Sequence, residues 1–130
     1  MRFTRILLQA SQKKTTGIVG YPVHPDPRPH LISVYNKTLT ALKEKIPPYA
    51  IYRQSTEAIT NHRLSVVSQN TNVETIEEIL DAGHIEEVIG VAEDELKLVD
   101  KMAEWKVWEP LHEKPLEGQW EYFKKAPEQE

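Results

Sequence analysis

Apolar side chains recur at helical spacing in two stretches of the first half of the chain. The first stretch begins near Pro29, since proline is tolerated in a first helical turn, and Pro47-Pro48 ends it. Its apolar face consists of Leu31, Tyr35, Thr38, Leu39, Leu42 and Ile46. The second stretch, Tyr49 to Gln69, has a less regular face of Tyr52, Thr56, Ile59, Arg63, Val66 and Val67. Thr60-Asn61 is a candidate kink or break in it, because both side chains compete for backbone hydrogen bonds.

Two further helices are predicted in the second half. Asn72 is placed to cap a short helix from Val73 to Asp81, and Gly83 is placed as its left-handed stop. Its inward residues are Ile76, Ile79 and Leu80. The fourth helix, Ile85 to Trp105, has the most regular apolar face: Ile85, Val88, Ile89, Ala92, Leu96, Val99 and Ala103. Its opposite, solvated face carries Glu86, Glu87, Glu93, Asp94 and Asp100.

These patterns together predict an all-α fold, a small three- to four-helix bundle over residues 29–106. No segment has the alternation typical of a strand ladder. Gly90 costs about 1 kcal/mol relative to alanine inside a helix. It either permits a close contact or has no packing role. A bundle of this size buries only roughly 60% of its unfolded-chain surface, so binding to a partner would add needed stability.

Segments without helical periodicity flank the predicted bundle, at residues 1–28 and 107–130. The span Gly17–Pro29 contains two glycines and four prolines, which exclude a regular helix and favour an extended arm. Ile18, Val19 and Tyr21 make this arm apolar enough to lie along a surface.

The second flanking segment is an extended, tryptophan-rich tail. Pro110 cannot lie inside a helix, yet apolar and aromatic residues surround it and continue to Trp120. Such side chains either dock on a partner or fold back onto their own bundle, and Trp and Tyr are enriched at interface hot spots. The predicted partner interface is Gly17, Ile18, Val19, Tyr21, Trp105, Trp108, Pro110, Leu111 and Trp120.

The charge distribution argues against nucleic acid or anionic lipid as a partner. Residues 74–104 hold 11 acidic residues against only Lys97 and Lys101, and the net charge of the chain is −4. Such a surface repels phosphate groups. No apolar stretch approaches the roughly 20 residues of a membrane-spanning helix.

The first 14 residues are the exception, with Arg2, Arg5, Lys13 and Lys14 and no acid. This composition matches a mitochondrial presequence, and an ordinary N-terminus with few acids is the equally weighted alternative.

The sequence offers no catalytic constellation. The five histidines lack metal-ligand spacing, and the absence of cysteine excludes thiolate sites and disulfides. His84, Glu86 and Glu87 are the weak exception, a conceivable acid/base or metal cluster whose residues more often lie on a solvated helix face. The prediction is therefore no catalytic, cofactor-binding or metal-binding residue, and no cofactor.

Several segments, taken in order, resemble one family. They are Lys14–Gly20, Ile46-Pro47, Tyr52-Arg53 with Thr56-Glu57, Ile59–Asn61 with Arg63-Leu64, Glu86–Ile89, Ala92-Glu93 with Glu95-Leu96, Met102, and Glu104–Leu111. The family is the accessory subunit of mitochondrial respiratory complex I known as alpha subcomplex subunit 5. The similarity covers about Lys14 to Trp120. Residues 1–13, 22–29 and the last ten or so diverge from the family pattern.

The resemblance implies a helical, non-catalytic accessory subunit without a cofactor. It implies a peripheral position on the matrix side of the mitochondrial inner membrane, in the quinone-binding module of NADH:ubiquinone oxidoreductase. The expected partners are core peripheral-arm subunits, above all the 30-kilodalton core subunit, and the expected role is assembly and stability. A helical interaction module of another mitochondrial assembly is the alternative.

Overall fold

Four helices make up the computed structural model, which describes residues 13–119 and 122–123. They are α1 (Pro27–Lys45), α2 (Ile51–Gln69), α3 (Val73–Leu80) and α4 (Ile85–Trp105). The described residues contain no strand, so the predicted all-α fold is confirmed. The basic segment 1–12, Trp120 and the last seven residues lie outside the described part. None of the described helices is long and apolar enough to cross a membrane.

The central helix is α1, which packs against both α2 and α4. Leu31, Val34 and Tyr35 near its start form the first apolar core with the start of α4, the end of α2 and Ile76 of α3. Leu42 and Ile46 near its end form the second core with Ala50 and Val99. Because the start of α1 meets the start of α4 and the end meets the end, these two helices run parallel, and α2 runs antiparallel to both. Each fully buried Leu or Ile contributes roughly 1.5–3 kcal/mol.

Arginine side chains of α1 and α2 donate hydrogen bonds to carbonyl groups at the C-terminal end of the other helix. Arg28 donates from Nε to the Val67 carbonyl at 2.9 Å and from Nη2 to the Ser68 carbonyl at 3.0 Å. Arg53 donates to the Ile46 carbonyl at 2.6 Å. Carbonyls at helix C-termini lack intrahelical donors, so these guanidinium groups satisfy them and complement the helix dipole.

Helix boundaries differ slightly from the pattern-based ones. Helix α1 starts at Pro27, two residues early, because Pro27 and Pro29 both fall in the first turn, where no intrahelical N–H bond is lost. Asn72 caps α3 by accepting from Glu74 N at 3.0 Å, as predicted. The left-handed stop of α3 is Asp81, with φ of 46°, rather than Gly83.

One candidate helix break and three predicted face positions are wrong. Helix α2 continues through Thr60-Asn61 without a break, because Thr60 is buried against its neighbours. Ile59 and Ile79 were predicted to face inward but are 55% and 50% exposed. Glu86, predicted on the solvated face, is buried because the N-terminal arm crosses the start of α4.

Candidate partner-docking surfaces

The N-terminal arm makes a tight turn that displays apolar side chains. The Thr16 hydroxyl donates to the Tyr21 carbonyl at 2.5 Å, which closes the turn. Gly17 and Gly20 have φ of 73° and 88°, conformations that glycine adopts without strain. Val19 at the tip is fully exposed. The turn therefore presents its apolar tip to the surroundings.

One side chain of the arm packs on the bundle itself. The Tyr21 ring lies over Gly90 of α4, where a Cβ atom would come within 3.3 Å of the ring. Gly90 therefore permits a close contact, and the contacting group is the arm rather than another helix. Tyr21 remains 40% exposed, and Ile18 remains 38% exposed.

An ion-pair network fastens the N-terminal arm, from Lys13 to His24, to the junction between α3 and α4. The Lys13 ammonium pairs with Glu77 and lies 3.2 Å from His84 Nδ1 and 3.7 Å from Glu86 Oε2. The other oxygen of Glu86 accepts from the backbone N–H of His24 at 3.3 Å. Glu86 therefore holds both ends of the arm.

The same network contains the weak sequence candidate for metal or acid/base chemistry. Ligand atoms of Glu77, His84 and Glu86 lie within 4.8 Å of one another. The Lys13 ammonium lies among them and supplies positive charge. Glu87 turns away to accept from His84 N at 2.9 Å, which completes the first turn of α4. The structure thus brings His84 and Glu86 together as an anchor for the arm.

The C-terminal tail leaves α4 through Lys106, whose φ is 51°. Trp105, Pro110 and Leu111 are exposed, and Trp105 and Leu111 retain 62% and 72% of their surface. The Trp108 ring is half-buried and packs against the second core. The two tryptophans therefore have different environments, one facing outward and the other facing the bundle.

Exposed apolar side chains at the start of α2 lie at the same end of the bundle as the C-terminal end of α4. Tyr49 and Ile51 are 65% and 74% exposed, and they flank Ala50, which packs in the same core as Trp108. We call Tyr49, Ile51, Trp105 and Leu111 the apolar end. Sequence reasoning did not include Tyr49 and Ile51, because it treated them as the first turn of a helix. Their position beside Pro47-Pro48, where a chain reversal exposes side chains, was the available signal.

A second surface feature is the groove between α2 and α4, with α1 as its floor. It encloses a cavity of about 70 Å³. We call it the α2–α4 groove, and its lining is Tyr35, Thr38, Thr56, Ile59, Thr60, Arg63, Val91, Ala92 and Glu95. At one end, the Tyr52 hydroxyl donates to Glu95 at 2.5 Å and links the two helices.

Burial changes the acidity of both tyrosines beside the groove. Burial raises the pKa of Tyr35, and the positive charge of the nearby Arg63 partly opposes that rise. Burial also raises the pKa of Tyr52, and the hydrogen bond to Glu95 with its negative charge raises it further. Both hydroxyl groups are therefore held in their neutral, proton-donating form.

A small helical bundle that exposes apolar side chains on an arm, a tail and one end has the features of an interaction domain. A family model described as "ETC complex I subunit conserved region" matches residues 20–87, from the arm to the first turn of α4.

Curated relatives match more of the chain. The NADH dehydrogenase [ubiquinone] 1 alpha subcomplex subunit MCI4 of Candida albicans is 46% identical over 125 residues, which is 96% of this chain and 90% of the relative. The alpha subcomplex subunit 5 of Bos taurus is 49% identical, and that of Mus musculus 47%, each over 85% of this chain and 94% of the relative. The chain belongs to the NADH dehydrogenase [ubiquinone] 1 alpha subcomplex subunit 5 family.

Proposed function

We propose that this protein is a mitochondrial, non-catalytic accessory subunit of NADH:ubiquinone oxidoreductase, complex I. The observation that carries the proposal is the near-full-length match to relatives whose names assign them to that enzyme. Its role is structural: it stabilises the quinone-binding module and supports its assembly. It lies peripherally on the matrix side of the inner membrane, against core peripheral-arm subunits and above all the 30-kilodalton core subunit.

The proposed docking residues are those of the arm and the tail, and the exposure of every described one except the half-buried Trp108 supports this role. Val19 is 100% exposed and Leu111 is 72% exposed within the described part of the chain. Large exposed apolar side chains grouped on one surface are typical of protein–protein contacts. The full proposed interface is Gly17, Ile18, Val19, Tyr21, Trp105, Trp108, Pro110, Leu111 and Trp120.

The structural role is supported by how the polar groups are used. Lys13, Glu77 and Glu86 fasten the arm, and Tyr52 links α2 to α4 through Glu95. These groups have clear structural tasks. We therefore expect NADH oxidation per assembled complex to be unchanged when His84 and Glu87 are both replaced by alanine.

The experiment uses cells whose own copy of the subunit is deleted and replaced by the tagged full-length chain. Native electrophoresis of mitochondrial membranes should show the tag co-migrating with NADH dehydrogenase activity. Cross-linking of the purified particle, followed by mass spectrometry, should join the arm or the apolar end to the 30-kilodalton core subunit. A tag that migrates free, or only with another assembly, contradicts membership of complex I. Cross-links solely to other subunits contradict the choice of partner.

A further inference from the structure

The α2–α4 groove has a polar floor between two apolar cores. Three of its lining residues, Thr38, Thr56 and Thr60, are buried side chains with hydroxyl groups, and their small size leaves the cavity of about 70 Å³. Ile59 and Val91 stand on opposite rims and are 55% and 56% exposed. The groove is therefore lined by hydroxyl-bearing side chains and has an exposed apolar side chain on each rim.

Two donors of this groove, the Tyr35 hydroxyl and the Arg63 guanidinium, lie beside each other and have no carboxylate acceptor among the described residues. The Tyr35 hydroxyl is buried and has no acceptor among residues 13–119 and 122–123, while Arg63 lies close enough to donate to its oxygen. Arg63 is half-buried, and no carboxylate of the described residues lies within 4.0 Å of its guanidinium group. Buried donors are normally paired, and an arginine guanidinium can only donate. A group that satisfies the Tyr35 hydrogen and the free guanidinium N–H groups together is therefore an acceptor.

Arg53, the other arginine of α2, has a guanidinium group that is hydrogen-bonded within the chain. Arg53 pairs with Glu57 at 2.9 Å and donates to the Ile46 carbonyl at 2.6 Å. Tyr52 on the same helix likewise has an internal acceptor in Glu95. Tyr35 and Arg63 therefore differ from chemically identical neighbours in having no such acceptor.

The Tyr35 hydroxyl and the Arg63 guanidinium, which lie beside each other, favour an anionic acceptor. Burial favours the neutral Tyr35 hydroxyl, which donates, and Arg63 supplies the positive charge. Glu95 is the one carboxylate among the lining residues; Tyr52 binds it at one end of the groove, and it lies more than 4.0 Å from the Arg63 guanidinium. A cavity of about 70 Å³ admits a single short side chain.

We propose that the α2–α4 groove receives an aspartate or glutamate side chain from a partner protein, bound by the Arg63 guanidinium and the Tyr35 hydroxyl. Apolar residues beside that carboxylate contact Ile59 and Val91 on the rims. This inference rests on the proposed function, because it names the chemistry of a partner within the assembly. It adds a contact surface separate from the arm and the tail.

The test compares Tyr35→Phe and Arg63→Met with matched variants whose groups are already paired, Tyr52→Phe and Arg53→Met. Each tagged full-length variant is expressed beside the wild-type chain, and the ratio of the two in purified complex I is measured. Melting of each isolated chain is measured in parallel. Loss of a charge-assisted hydrogen bond should lower incorporation of Tyr35→Phe and Arg63→Met roughly 10- to 100-fold.

The melting temperatures distinguish an effect of each substitution on docking from an effect on folding. Tyr35→Phe should melt at or above the wild-type temperature, because it removes a buried hydroxyl that has no internal acceptor. Tyr52→Phe and Arg53→Met should melt lower, and their incorporation should fall only as far as their lower stability accounts for. If Tyr35→Phe and Arg63→Met enter complex I as well as the wild type does, the inference is wrong and the proposed function stands. If the wild-type chain never enters complex I, the proposed function itself fails.

A zero-length cross-link identifies the acceptor. Arg63→Lys places a primary amine in the groove, and carbodiimide couples an amine to a carboxylate in direct contact. An amide between the new lysine and an aspartate or glutamate of another subunit supports the inference. An amide only to Glu95 would mean that Arg63 is satisfied within its own chain, which overturns it.

Discussion

Tyr52 shows how a single hydroxyl group can join two helices. It lies on α2 and donates to Glu95 of α4 at 2.5 Å. Neutral tyrosine donates this bond, whereas tyrosinate would face the Glu95 charge at the same distance. Burial, the hydrogen bond and that charge therefore all raise the pKa of Tyr52 above its ordinary value of 10.0.

The raised pKa predicts a loss of stability in alkaline solution. Tyr52 loses its proton more readily in the unfolded chain than in the folded one, so unfolding releases protons above about pH 10. The stabilisation is fully present below that pH and is lost as pH rises towards the higher folded-state pKa. Urea unfolding at a series of pH values should show the free energy of unfolding falling above about pH 10.

Tyr52→Phe should be less stable than the wild type near neutral pH, by about 1–2 kcal/mol, because it lacks the bond to Glu95. Its free energy of unfolding should fall less steeply above pH 10. Tyr49→Phe is the matched control, since Tyr49 is 65% exposed, and it should follow the wild-type curve. Parallel curves for Tyr52→Phe and the wild type would refute the role given to this hydroxyl.

Individual polar residues were predictable from the sequence only where their partner is local. The Asn72 cap was predicted because its partner, Glu74 N, lies two residues away. Burial of Glu86 was not, because its contacts come from Lys13 and His24, more than 60 residues away. A helical-wheel pattern for α4 carries no information about an arm that crosses its first turn.

At the scale of elements, periodicity predicted all four helices, and the apolar faces of α1 and α4 correspond largely to the observed cores. The predicted faces of α2 and α3 were less accurate. For α2 the reason is that α1 covers only one side of the helix. Ile59 therefore stands on the rim of a groove where a complete bundle would have another helix. Helical spacing alone does not reveal how many neighbours a helix has.

The N-terminal arm is the element whose attachment depends most on charge. Lys13→Met would leave Glu77 and the buried Glu86 without their cation and should lower the free energy of unfolding by roughly 1–3 kcal/mol. Amide hydrogen exchange over residues 16–24 should accelerate, because the arm loses its anchor.

Lys14→Met is the matched control for charge, since Lys14 is exposed and adjacent to Lys13. It should leave both stability and exchange unchanged. Adding Glu86→Gln to Lys13→Met should restore part of the lost stability, because the uncharged amide no longer needs a cation. Equal effects of the two lysine variants would show that net charge, and not this network, holds the arm.

At the scale of the whole molecule, residues that build the fold and residues that face outward are largely distinct. The two apolar cores are formed within the chain, while Val19 at the arm tip and the apolar end remain exposed. Sequence reasoning proposed both the arm and the tail as contacts. The distinction between Trp105 and Trp108 required the structure, because both rings lie three residues apart in similar sequence.

The most direct test of a docking role for the apolar end compares Trp105→Ala with Trp108→Ala. Each variant is tested for melting of the isolated full-length chain and for incorporation into complex I. Trp105→Ala should melt like the wild type and lose about 2 kcal/mol or more of binding, roughly 30-fold in incorporation, because its ring is 62% exposed. Trp108→Ala should lower the free energy of unfolding by roughly 2 kcal/mol, since its ring covers the second core. Wild-type incorporation of Trp105→Ala, or melting as low as that of Trp108→Ala, would contradict a docking role for the apolar end.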